Sequence, residues 1–302
     1  MRGPILAMVA ACLAAVQVTS QSPTRQSDPQ NPSQKPAQEV PKTAAKPDAQ
    51  AIIRKSLERD FYNFNSVKDY TYIEREEDRE YDGNGKLKKT ESSTNEVLIL
   101  AGRPYEKEIA KNDRPLPEHE ARKEQEKMDK ELVKREHMSA SDRAKVEKER
   151  EEERAYLREI PDAFRFRLAG EENISGQPAW VIEAEPKPGY QVKDSKAKVL
   201  AKVRGKFWIT QHDNRWVKIQ AEAIEPLSFG LGLFRIAPGG AFTFEQKRVN
   251  DEVWLPTHIL IRGDARLAYL KKVHGEIELT YRDYKKFQTD SKIVATEERH
   301  DR

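Results

Sequence analysis

The stretch KVLAKVRGKFWITQHDNRWVKIQAEA, Lys198–Ala223, reads as two apolar/polar alternations around a short polar turn. Val199, Ala201, Val203, Gly205, Phe207 and Ile209 fall on one face of an extended chain, and Lys198, Lys202, Arg204, Lys206 and Thr210 on the other. A period of two with one apolar face describes a strand that packs on one side and meets water on the other. Gln211-His212-Asp213-Asn214 supplies the turn, after which Val217, Ile219, Ala221 and Ala223 alternate with Trp216, Lys218, Gln220 and Glu222. The result is an antiparallel hairpin whose apolar face needs a cover.

The same alternation recurs on both sides of this hairpin. Phe164, Phe166 and Leu168 alternate with arginines, and Trp180, Ile182 and Ala184 follow after a turn at 173–176. Further on come Phe242 and Phe244, then Val253, Leu255, Ile259 and Ile261, with Pro256 expected to bulge its strand. Gly275, Ile277, Leu279 and Tyr281 form a last strand, its outward face carrying His274, Glu276 and Glu278. Near the start, Tyr70 and Tyr72 open another strand, and Gly83-Asn84-Gly85 marks a hairpin that leads to Val97–Leu100. Eight or more antiparallel strands are expected. Only one clearly amphipathic helix accompanies them, capped by Asp48 and carrying Ile52, Leu57 and Phe61.

Composition restrains what the chain can do. Of its 302 residues 35% are charged, yet 54 basic and 51 acidic side chains are interspersed, leaving a formal net charge of +3. Without a basic stripe, nucleic acid is not an expected partner. Arg2 and the apolar run from Ile5 to Val18 read as an export signal, residues 1–20, with cleavage at Val18-Thr19-Ser20. A short membrane anchor or a buried helix are the alternatives. The single cysteine, Cys12, lies in this run, so the mature chain has no disulfide or thiolate chemistry. Val9-Ala10-Ala11-Cys12 also resembles a lipobox, which would make Cys12 a lipid anchor. Residues 21–48 are a polar linker, and 288–302 a polar tail.

Between them lies a domain at 49–287, interrupted at 117–159 by a charged segment with 12 Lys/Arg and 14 Asp/Glu from Glu118 to Glu159. Ser139-Ala140-Ser141-Asp142 breaks it into two solvent-exposed helices. A docking arm for an envelope protein or for lipid headgroups is the alternative to a merely solvated pair. The six histidines never cluster as metal ligands, and His212-Asp213 has no nucleophilic partner. No catalytic residue, cofactor or metal is expected, and the chain reads as non-enzymatic. The glycine-rich apolar run at 224–240 is either a buried strand or a mobile lip over a cavity. With one helix to cover so much sheet, an apolar cavity is expected, lined by Phe207, Ile209, Val217, Ile219, Phe229, Leu231 and Phe244.

Phe207-Trp208-Ile209, Trp216-Val217-Lys218 and Trp254-Leu255-Pro256 resemble strands of the periplasmic lipoprotein-carrier superfamily, the LolA/LolB-like fold. The resemblance spans about residues 49–287 through weak, fold-level motifs. It implies an α+β fold, a large curved antiparallel sheet forming a half-open barrel with helices over the concave face. It also implies a periplasmic protein that binds lipid or lipoprotein acyl chains, with peripheral membrane contact. An envelope-sensing or protein-interaction module is the alternative on the same fold. The insertion at 117–159 is foreign to the compact carriers, and their functional arginine matches no residue here.

Overall fold

The computed structural model describes residues 47–67, 69–229, 234–267 and 271–287. The export signal, Cys12, the linker up to residue 46, Leu231 and the tail from 288 lie outside the described residues. Helix α1 (Ala49–Val67) opens the domain. Asp48 caps it as expected, its carboxylate accepting from the Gln50 backbone N–H at 3.0 Å. Four strands follow, β1 (Tyr70–Tyr81), β2 (Leu87–Leu100), β3 (Arg103–Lys111) and the two-residue β4 (Arg114–Pro115). The charged insertion forms α2 (Glu118–Glu136) and α3 (Ala140–Ala155), broken where predicted, with Ser139 Oγ accepting from Asp142 N at 3.0 Å. A 3₁₀ turn (Tyr156–Glu159) and the short α4 (Ile160–Ala163) return the chain to the sheet.

The remaining strands are β5 (Phe164–Ile174), β6 (Gln177–Pro186), β7 (Val203–Thr210), β8 (Trp216–Ala223), β9 (Leu227–Phe229), β10 (Phe234–Ile236), β11 (Ala241–Val249), β12 (Val253–Leu267) and β13 (Lys271–Lys286). All pairings are antiparallel, and the order is β4-β3-β2-β1-β13-β12-β11-β8-β7-β6-β5, with β10 and β9 branching from β12. The first and last strands along this path do not meet. The sheet is therefore open, which corrects the expectation of a half-open barrel with a concave face. The physical reason lies at its ends. β4 is only Arg114–Pro115, and proline offers no ladder N–H, while β5 carries Arg165, Arg167, Glu171 and Glu172 and a bulge at Gly170.

Register assigns the two faces. Ile182, Phe207, Ile219, Phe244, Ile259, Leu279 and Glu76 stand opposite one another in successive strands and share one face. Helix α1 covers the β5–β8 end of this inner face, where Ala49, Ile52 and Ile53 pack with Ile160, Phe164, Ile182, Ala184, Leu200 and Ile209. Ile53 is 1% exposed, a burial worth roughly 1.5–3 kcal/mol. α2 lies elsewhere. It meets β3 through Tyr105 and Lys107, which alternate with the inner-facing Glu106, so it flanks the opposite face.

That outer face is a charge ladder. Lys218–Glu245, His258–Glu278, Arg79–Glu278, Arg79–Glu276, Arg262–Glu276 and Arg79–Glu77 run across five strands. Glu276 and Glu278 are thus outward charges, as their position opposite the apolar residues predicted. A smaller apolar island, Ala179, Val181, Trp208, Val217 and Trp254, interrupts the ladder.

Two details of the central hairpin differ from the sequence pattern. Ser195–Lys202 coils into a 3₁₀ helix, so β7 begins at Val203 and Val199 is not a strand residue. In β8 a bulge places Ile209 opposite Trp216 and Trp208 opposite Lys218, leaving Val217 as the extra residue.

Candidate ligand-binding face

The site grows from five strands that each contribute apolar or aromatic side chains to the inner face. Phe244, Ile259, Leu279 and Tyr281 are buried, and Tyr72, Trp216, Ile219, Phe242, Ile261, Ile277 and Tyr284 pack around them with part of their surface exposed. Every one of these residues comes from a strand. Alternation in β8, β11, β12, β13 and β1 is what aims them the same way. Trp216 stacks on Phe244 at 5.0 Å between centroids, an offset contact that joins this floor to the α1-covered core.

Of the predicted cavity residues, four reach the inner face. Phe207 and Ile209 belong to the core beneath α1, Ile219 and Phe244 to the aromatic floor. Val217 does not. The β8 bulge turns it outward into the island with Trp208, and Trp216 takes its place inside. Phe229 pairs with Phe234 in the β9–β10 ladder, and Leu231 lies outside the described residues. Of the two readings of 224–240, Leu227 and Ile236 pack with Ala223 as strand residues of a small core.

At the β1 end the floor changes chemistry. Glu74 stands opposite Tyr281 on one side and Asn95 on the other, with Glu106 one strand further on beside Val97. Only 7% of Glu74 is exposed. Burial, reinforced by the negative charges of Glu106 and Glu76, pushes its carboxyl up to about 7, while Asn95 and Tyr281 pull the other way. Tyr281 is near enough to favour the carboxylate, yet neither its hydroxyl nor Glu74 Oε1 achieves a sound hydrogen bond, and both atoms are buried. Tyr72 closes the cluster, 5.9 Å from Tyr281 and 5.2 Å from Tyr284 between ring centroids. Burial raises all three phenols above their ordinary range, so they stay neutral. Tyr284 donates to the Pro256 carbonyl at 2.6 Å, which fixes one wall.

Trp216 Nε1 is a third buried polar atom without a partner, at the other end of the floor. Sequence reasoning placed Trp216 on the wet face because the bulge leaves no mark in the alternation. The alternation marks Tyr72 as a strand residue and by itself gives no sign of the part it plays with Glu74. The available signal was an acid in step with two tyrosines, Tyr70-x-Tyr72-x-Glu74. Among the described residues no three His, Cys, Asp or Glu side chains are placed to hold a metal ion.

No family model and no curated protein matches the chain. Solved structures do resemble it at a distance. A putative outer membrane lipoprotein-sorting protein domain from Vibrio parahaemolyticus is 13% identical, covering 82% of this chain and 96% of that one, with a TM-score of 0.35. The LolA superfamily protein NE2245 from Nitrosomonas europaea is 11% identical over 80% and 93%, with a TM-score of 0.29. MucA/MucB of Pseudomonas aeruginosa is 9% identical over 78% and 93%, with a TM-score of 0.22. The likeness is broad in coverage and low in superposition.

Proposed function

We propose that this is an exported, non-enzymatic protein of the cell envelope that binds an acyl chain, of a lipid or a lipoprotein, along the inner face of its open sheet. One observation carries the reading. Phe242, Ile261 and Ile277 form an apolar row that keeps part of its surface accessible, directly beside the row of partly exposed Ile219 with the buried Phe244, Ile259 and Leu279. An alkyl chain laid on such a floor gains about 0.8 kcal/mol per buried methylene, less the cost of association. No step of covalent chemistry is needed. Export to the periplasm is in keeping with the apolar leader and the absence of cysteine downstream of it.

Uptake of dodecanol, followed by the intrinsic tryptophan fluorescence to which Trp216 on the floor contributes, tests the proposal. Ile219→Glu places a charge on the floor and is expected to abolish uptake, whereas Lys206→Glu on the outer face leaves it intact. Equal uptake by both variants would overturn the reading. A second reading, a protein-interaction module, is favoured by the charged helical pair. No residue of α2 is buried and Val133 on it is 55% exposed. Replacing 118–155 by a short linker separates the two, since chain binding is expected to survive it.

A further inference from the structure

The acidic, tyrosine-lined end of the floor has no part in holding an alkyl chain, and its chemistry is specific. Glu74 and Tyr281 are each more than nine-tenths buried, at 7% and 6% exposure, and each presents a polar atom with no hydrogen-bond partner. A native fold leaves such atoms bare rarely, because each forfeits the water it would otherwise bind. The largest charge effects on Glu74 come from Glu106 and Glu76, both acidic. An anionic group is repelled here, and a cation is drawn in. Tyr72, Tyr281 and Tyr284 surround this end with rings that meet edge-on or tilted.

We propose that this end of the inner face binds a primary ammonium group carried on the same amphiphile whose chain lies on the floor, seated between Glu74 Oε1 and the Tyr281 hydroxyl. The proposal rests on the acyl-chain reading above and adds the class of headgroup. The choice of a primary ammonium follows from the unpaired atoms. A carboxylate oxygen and a phenol oxygen both accept N–H donors, which a quaternary ammonium lacks. The register connects the two ends, because Tyr281 and Leu279 are alternate residues of β13 and Leu279 faces Ile259. Among the described residues, Glu76 on the same strand, Glu106 on β3 and the three phenols are titratable groups around Glu74, with Glu108 one strand further on opposite Asn95. Since the cation competes with a proton on Glu74, preference for it grows as the pH rises through about 7.

The test compares dodecylamine, dodecanol and dodecyltrimethylammonium, each below its micelle concentration, by titration calorimetry on the mature protein. Dodecylamine is expected to bind at least about tenfold more tightly than the other two, the scale of one charge-assisted hydrogen bond. Glu74→Gln, a neutral isostere, is expected to erase that preference and keep dodecanol binding; Tyr281→Phe is expected to weaken it. Equal affinity for amine and alcohol, or a preference that survives Glu74→Gln, would overturn the headgroup site while leaving the chain site standing. A trimethylammonium probe that binds as well as the amine would overturn the role of the N–H donors. Failure of all three probes to bind would instead remove the acyl-chain reading on which the site depends.

Discussion

Replacing Glu74 by glutamine is expected to stabilise the ligand-free protein in alkali and not in acid. The carboxyl is raised from an ordinary 4.5 to about 7, chiefly by burial and then by Glu106 and Glu76. A raised acid binds its proton more tightly in the folded state than in the unfolded one. Its contribution to stability is fully present below about 4.5 and is lost as the pH climbs through about 7. At about 1.4 kcal/mol per pH unit the loss is about 3 kcal/mol, of which roughly 2.5 falls between about pH 5 and about pH 8. Glutamine never ionises, so the variant escapes it. Urea unfolding of both proteins at the two pH values isolates Glu74 together with the acidic neighbours coupled to it, because groups remote from it titrate alike in each. The expected outcome is nearly matched midpoints at low pH and a variant midpoint higher by about 1 M near pH 8. A difference between the two proteins that stays flat within about 0.5 kcal/mol across that range refutes the buried, unpaired carboxylate.

Glu159 titrates in the opposite sense. Burial opposes its charge, but the Lys193 and Asp194 backbone N–H groups and the Tyr190 hydroxyl, at 3.0, 2.7 and 3.0 Å, outweigh this and lower its pKa. Its stabilisation is present at neutral pH and disappears as the pH falls through that depressed value, and Glu159→Ala is expected to cost about 3 kcal/mol or more in urea unfolding near pH 7. Gly263→Ala would bring a Cβ within 2.9 Å of Gly240 Cα at a φ of +153°, and is expected to destabilise by about 1–3 kcal/mol, read as a lowered Tm. Arg79→Ala leaves Glu77, Glu276 and Glu278 facing one another on the outer ladder. A loss of about 1–2 kcal/mol at low salt is expected, shrinking in about 1 M salt, where screening reaches about 3 Å.

The strands were legible wherever alternation was unbroken. Phe164–Leu168, Trp180–Ala184, Phe242–Phe244 and Gly275–Tyr281 all lie in strands, and the Gly83–Gly85 turn joins β1 to β2 as read. The helical break at Ser139 was equally plain, because a cap is local chemistry. Bulges were another matter. A bulge inserts one residue without changing composition, so the swap of Trp216 for Val217 on the inner face could not be read from β8 alone. β3 was missed because Tyr105, Lys107 and Ile109 alternate with Glu106, Glu108 and Ala110 in a segment too charged to mark a core face.

The openness of the sheet is a long-range fact. Residue pattern marks strands where alternation is unbroken, but closure depends on which strands end the order, here Arg114–Pro115 and Phe164–Ile174. The apolar part of the site was legible in the alternation at Ile219 and Phe244; Phe207 and Ile209, read alongside them, pack in the core beneath α1. The polar end of the site was not legible, since burial of Glu74 arises only when β1, β2, β3 and β13 come together.

The proposed function requires the inner face of the sheet to carry an alkyl chain. Native mass spectrometry of the mature protein, purified gently after export, tests it most directly when followed by denaturing extraction. An acyl amphiphile at close to one per chain, absent from Ile219→Glu, is the predicted result. A bare protein mass, with no uptake of added dodecanol or dodecylamine by the wild-type chain, would contradict it.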